Sequence, residues 1–106
     1  MVKKRTAKDR LSRTLRRIRE WCRRYRHLDV RKQHRALCQK LNGHYAYFGV
    51  TSNFASLARV WHETKAIWRK WLSRRSQKAF LSWKKMHALL VRLPLPPPRI
   101  VHRYGT

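Results

Sequence analysis

Twenty-eight lysines and arginines stand against four carboxylates, Asp9, Glu20, Asp29 and Glu63, in a chain of 106 residues, and the formal charge of +24 constrains every fold open to it. A compact state of that charge repels itself, so the chain must gather its apolar residues efficiently and spread its cations over the surface. Helices do this well: an apolar stripe at a 3.6-residue period leaves the other directions to arginine and lysine. The hydrophobic fraction, 42% with five tryptophans, is enough for a core and separates the chain from a disordered basic tail. A polyanion is the natural ligand for such a charge, nucleic acid first and an anionic membrane second.

The same arithmetic narrows the chemistry. No two of the four carboxylates lie close in sequence, so there is no local pair for metal-assisted phosphoryl transfer or acid/base work. Neither catalysis nor a small-molecule substrate is expected. Cys22 and Cys38 form no CxxC pair and the six histidines are scattered, so no zinc-ligand spacing appears and neither metal nor cofactor is expected. The cysteine usage fits a reduced, cytoplasmic setting. No apolar run approaches the roughly 18 residues of a spanning helix. The charged start Met1-Val2-Lys3-Lys4-Arg5-Thr6 leads into no apolar stretch that would make a signal peptide.

Along the chain, Leu11, Leu15, Ile18, Trp21, Cys22 and Tyr25 recur at helical spacing and predict an amphipathic helix from Ala7 to Tyr25. Asp29 then suits the cap of a second helix carrying Val30, His34, Leu37, Cys38 and Leu41 and running on through Gly43 to Phe48. Residues 49–53 read as a turn, with Ser52 or Asn53 capping a third helix that extends to about Arg75. Its stripe is Phe54, Leu57, Val60, Trp61, Ile67, Trp68, Trp71 and Leu72. A polar loop, Ser73 to Lys78, leads to a short helix from about Ser82 to Val91, with Trp83, Met86, Leu89 and Leu90 inward. Leu93-Pro94-Leu95-Pro96-Pro97-Pro98-Arg99 cannot be helical and opens an extended tail over 93–106 that packs back on the bundle. The expected fold is one all-α domain over 1–106, three main helices plus a short one.

Three groups of residues bear on function. The arginines of the first helix, Arg16, Arg17, Arg23 and Arg24 foremost, exceed what solvation requires and suit phosphate. Arg69, Lys70, Arg74, Arg75 and Lys78 cluster at the end of the third helix, where guanidinium forks match phosphate, although one arginine there would serve as a helix cap. Gly43, His44, Tyr45 and Tyr47 form either a ligand platform or the site of a close helix crossing. The tryptophans interleave with cations as in single-strand binders, but the seven-residue interval between Trp61 and Trp68 is core spacing.

Leu41-Asn42-Gly43-His44-Tyr45-Ala46-Tyr47-Phe48-Gly49-Val50-Thr51, Trp68-Arg69-Lys70-Trp71-Leu72 followed by Ser73-Arg74-Arg75-Ser76-Gln77-Lys78, then Ser82-Trp83 and the proline run to Ile100, taken in this order, resemble the C-terminal maturase region, the thumb or X region, of bacterial group II intron-encoded reverse transcriptases. The resemblance is strong from Leu41 to about Ile100 and weak before His34. It implies a helical thumb that binds structured group II intron RNA and assists its splicing fold, while the RNA performs the chemistry. The paired aspartates of a polymerase palm have no counterpart here, so reverse transcription is not carried over. A chain opening with Met1 just ahead of the thumb reads as a truncated copy or one piece of a split gene, partnered by a separate fingers and palm chain. A generic basic nucleic-acid-binding protein and a non-functional remnant are the competing expectations.

Overall fold

Helix α1, Lys3–Arg24, forms where the apolar residues keep helical register, and it stops where Arg26-His27-Leu28-Asp29 breaks that register. Asp29 starts α2, Val30–Phe48: its Oδ2 accepts from the Arg31 N–H at 3.1 Å and its carbonyl from the Gln33 N–H at 2.9 Å. Helix α3 spans Phe54–Ser73 and α4 Trp83–Arg92. The computed structural model describes residues 3–48, 54–75 and 81–99, and among them there is no strand. The all-α expectation therefore holds. The 49–53 turn, its Ser52 or Asn53 cap, and the chain from Ile100 onward lie outside the described residues.

Helix α3 is the centre of the bundle, lying along α1 and touching α2. Its buried side chains are Leu57, Val60, Thr64, Ile67, Trp68 and Leu72. They meet Leu15, Ile18 and Cys22 of α1, Leu37, Leu41 and Tyr45 of α2, Met86 of α4 and Leu95 of the tail. Thr64 sits on the apolar stripe because its hydroxyl donates to the Val60 carbonyl at 2.6 Å within the same helix. Burial pushes the Cys22 thiol up to about 12, against a smaller opposing effect of the Lys40 charge, so Cys22 behaves as a core hydrophobe.

Two expectations are corrected. Helix α3 ends at Ser73, short of Arg75, because Arg74 N–H and Arg75 N–H bond back three residues, to Trp71 and Leu72 carbonyls, and tighten the last turn. Trp83 is 43% exposed, not inward: it begins α4 immediately after the Ser82 cap, and the Arg69 guanidinium covers its ring at 4.7 Å. Ser82 starts α4 as its cap, its side chain accepting from the Lys85 N–H at 3.3 Å.

The proline segment returns across the bundle, and its chemistry explains how. Proline supplies no N–H but keeps its carbonyl, so an extended run offers a row of acceptors. Three consecutive carbonyls are taken. His34 Nε2 lies 2.7 Å from Pro94 O, Trp61 Nε1–H donates to Leu95 O at 3.2 Å, and Tyr45 O–H donates to Pro96 O at 2.8 Å. Leu95 between them is buried in the core. The fold is elongated, 50 × 29 × 21 Å with a radius of gyration of 14.9 Å. About 13 Å is usual for a compact domain near this size, and the extra extent gives the cations surface to separate on.

Candidate nucleic-acid interface

The sequence cluster at the end of α3 divides once its side chains are placed. Arg69 is half-buried, and its Nη1–H donates to the Leu81 carbonyl at 2.9 Å. Ser73 Oγ accepts from the Leu81 N–H at 2.9 Å beside it, so α3 holds both peptide groups of Leu81 and fixes the approach to α4. Arg75 reaches the other way, donating from Nη2 to the Leu28 carbonyl at 3.2 Å and tying the α1–α2 connection to the end of α3. These two arginines act as clamps on chain carbonyls. Lys70 and Arg74 remain exposed, at 5.2 and 5.8 Å from the Trp71 ring. Lys78 lies outside the described residues.

The first-helix arginines are exposed, Arg16, Arg17, Arg23 and Arg24 alike. Arg23, Arg24 and Arg26 line a cavity of about 370 Å³ together with Glu20. Arg17 belongs to a different recess, of about 300 Å³, between α1 and α2, where Lys40, Gly43, His44 and Tyr47 also lie. Tyr45 does not join that group: it is fully buried, and its hydroxyl latches the proline segment. A close helix crossing at Gly43 is not what the fold uses, because a Cβ added there would meet nothing within 4 Å. His44 is half-buried, and burial holds its imidazole below the ordinary histidine range and therefore neutral near pH 7.

A recess of about 850 Å³ opens between α2 and α4. Arg31, Arg35 and Arg92 line it, with Gln39 and Asn42 offering amides and Asp29 at one end. Three exposed guanidiniums from two helices around one cleft suit a chain of phosphates, and the amides suit sugar or base edges. These residues were not singled out from sequence. The four-residue interval from Arg31 to Arg35 was visible, but its pairing with Arg92 is made only by the fold.

The tryptophans are settled by what covers them. Trp68 is a core residue, 1% exposed, its Nε1–H donating to Gln33 Oε1 at 3.0 Å, and Gln33 in turn donates to the Tyr25 carbonyl at 2.8 Å. A cation lies over each of the others: Lys40 on Trp21 at 5.3 Å, Lys65 on Trp61 at 3.6 Å, Lys70 and Arg74 near Trp71, and Arg69 on Trp83. A nucleobase stacking on such a face would first have to displace the cation. The aromatic signal in the sequence is thus mostly one of packing and charge spacing.

Fold and surface together define a small all-α bundle whose recesses are lined by arginine. Among the described residues, no group of three His, Cys, Asp or Glu side chains is placed to hold a metal ion, and no helix is long and apolar enough to cross a membrane. No protein-family model, curated protein or solved structure matches the chain. The likeness to maturase thumbs therefore rests on the spaced motifs alone.

Proposed function

We propose that the chain is an RNA-binding module of the maturase type, which assists the folding and splicing of group II intron RNA without polymerase activity or catalysis of its own. The single observation that carries the binding part is the α2–α4 cleft, where Arg31, Arg35 and Arg92 converge. Exposed, like-charged side chains gathered in a concave site raise the local potential and attract a polyanion. The maturase part rests on the motifs from Leu41 to Ile100. A cytoplasmic setting and a separate fingers and palm chain as partner belong to the same reading.

The test is a salt-titrated binding curve on a group II intron RNA, with an unrelated structured RNA and duplex DNA as competitors. A preference for intron RNA that persists as salt rises supports shape reading, because counterion release alone weakens all polyanions together. Equal affinity for all three, lost in parallel with salt, would reduce the chain to a generic basic binder.

A further inference from the structure

Gly43 lies inside α2, five residues before its end, where glycine is the poorest ordinary residue for helix stability after proline. The fold does not explain it. The backbone there has no left-handed conformation to accommodate, and a Cβ would meet nothing within 4 Å. What the missing side chain leaves is room, and that room is part of the recess of about 300 Å³ between α1 and α2. The volume falls at the small end of ligand pockets, roughly 300–1,000 Å³. It is too small for a duplex groove and suits one flat residue.

The walls of the recess supply two kinds of contact. Arg17 from α1 and Lys40 from α2 bring two cations from different helices, and no carboxylate lines it among the described residues. Ile18, 3% exposed, contributes an apolar base, and Tyr47 stands at the rim with 77% of its surface exposed. Cations beside an accessible aromatic ring and an apolar floor match a phosphate joined to a nucleobase. Phosphate alone would need neither the ring nor the floor.

We infer that this recess seats a single unpaired nucleotide of the bound RNA, its phosphate between Arg17 and Lys40 and its base over Gly43 against Tyr47. The inference deepens the RNA-binding reading and rests on it: the α2–α4 cleft follows the backbone, and the α1–α2 recess recognises a base that has left the stack. Stacking of this kind accepts any base, so the site distinguishes unpaired from paired strand and not one sequence from another.

The experiment measures binding of the full chain to a 12-nucleotide oligouridylate and to a perfectly paired RNA duplex of that length. Gly43→Leu fills the recess and Tyr47→Ala removes the ring. Each is expected to weaken oligouridylate binding about tenfold, the usual effect of losing one stacked base, while duplex binding stays within about twofold. Gly43→Ala, which adds a methyl group to open space, should stay close to wild type on both and confirms that the helix tolerates a side chain. Equal losses on both probes, or no loss of oligouridylate binding in Gly43→Leu or in Tyr47→Ala, would overturn the inference while leaving RNA binding intact. A wild-type chain that binds neither probe would overturn the RNA-binding reading itself.

Discussion

The end of α3 and the face shared by α2 and α4 are both rich in arginine, yet they use it in opposite ways. At the end of α3, Arg69 and Arg75 donate to the carbonyls of Leu81 and Leu28 and hold neighbouring segments in place. Along α2 and α4, Arg31, Arg35 and Arg92 line an open cleft and stay exposed. Local density of positive charge does not separate the two. What separates them is whether a connection between helices leaves bare carbonyls within reach of a guanidinium. Where it does, the cation becomes part of the scaffold; where the neighbouring backbone is saturated by its own helix, the cation is left for a ligand.

The comparison breaks first at the core that both regions share. Trp68→Ala removes a buried ring and strands Gln33, and a loss of about 3–5 kcal/mol is expected. That is a large part of the stability of a domain this size. Thermal melts followed by far-ultraviolet circular dichroism should show the transition lost or moved well down; an unchanged melt would remove Trp68 from the core. Next, Arg69→Ala should cost about 1–3 kcal/mol, since the Leu81 carbonyl loses a charged donor and Trp83 its cover. If Arg69→Ala instead leaves the melt unchanged and weakens RNA binding alone, the scaffold role assigned to the end of α3 is wrong.

Most of the fold was legible in the sequence because helical periodicity survives any arrangement of the helices. Asp29, Ser82 and the stripes of α1 and α3 needed only local rules. The return of the proline segment was expected from its apolar residues, but not its means. His34, Tyr45 and Trp61 lie 60, 51 and 34 positions from the carbonyls they meet, and no local pattern announces such pairs. The site was less legible for the same reason. Arg69 and Arg75 looked like ligands because cluster density is visible and carbonyl geometry is not, and Tyr45 looked like its neighbour Tyr47 although two residues, roughly half a turn of helix, put them on opposite faces, Tyr45 in the core and Tyr47 outside. Gln33 was passed over, since a buried glutamine becomes meaningful only when Trp68 and the Tyr25 carbonyl are placed on either side of it.

The complementary test lies in the cleft. Replacing Arg31, Arg35 and Arg92 together by alanine should leave the melt within about 0.5 kcal/mol, as for surface positions without buried partners. RNA affinity should fall about tenfold at moderate salt, since three exposed charge contacts at roughly 0.5 kcal/mol each amount to about 1.5 kcal/mol. The dependence of affinity on salt should flatten as well, by close to 0.7–0.9 in logarithmic slope for each phosphate contact removed. A destabilised triple variant with unchanged salt slope would exchange the roles of the two arginine regions. Tyr45→Phe, which leaves the Pro96 carbonyl without its donor, should cost about 0.5–1.5 kcal/mol and leave RNA binding unaltered.

The smallest effect expected concerns protons in the α1–α2 recess. Burial favours the neutral imidazole of His44, so its folded-state value lies below the ordinary 6.5. The unfolded chain then takes up the proton first as pH falls, and stability drops through about 6.5 and below, while above that value this group contributes no pH dependence. The difference between melting temperatures at pH 7.5 and 5.5 should therefore shrink in His44→Gln. A phosphate seated between Arg17 and Lys40 brings a negative charge into the recess and makes an imidazolium there less unfavourable. Bound to single-stranded RNA, the wild-type chain should consequently lose less stability on acidification than it does alone. An acid response that is the same with and without RNA would place the bound strand elsewhere on the surface.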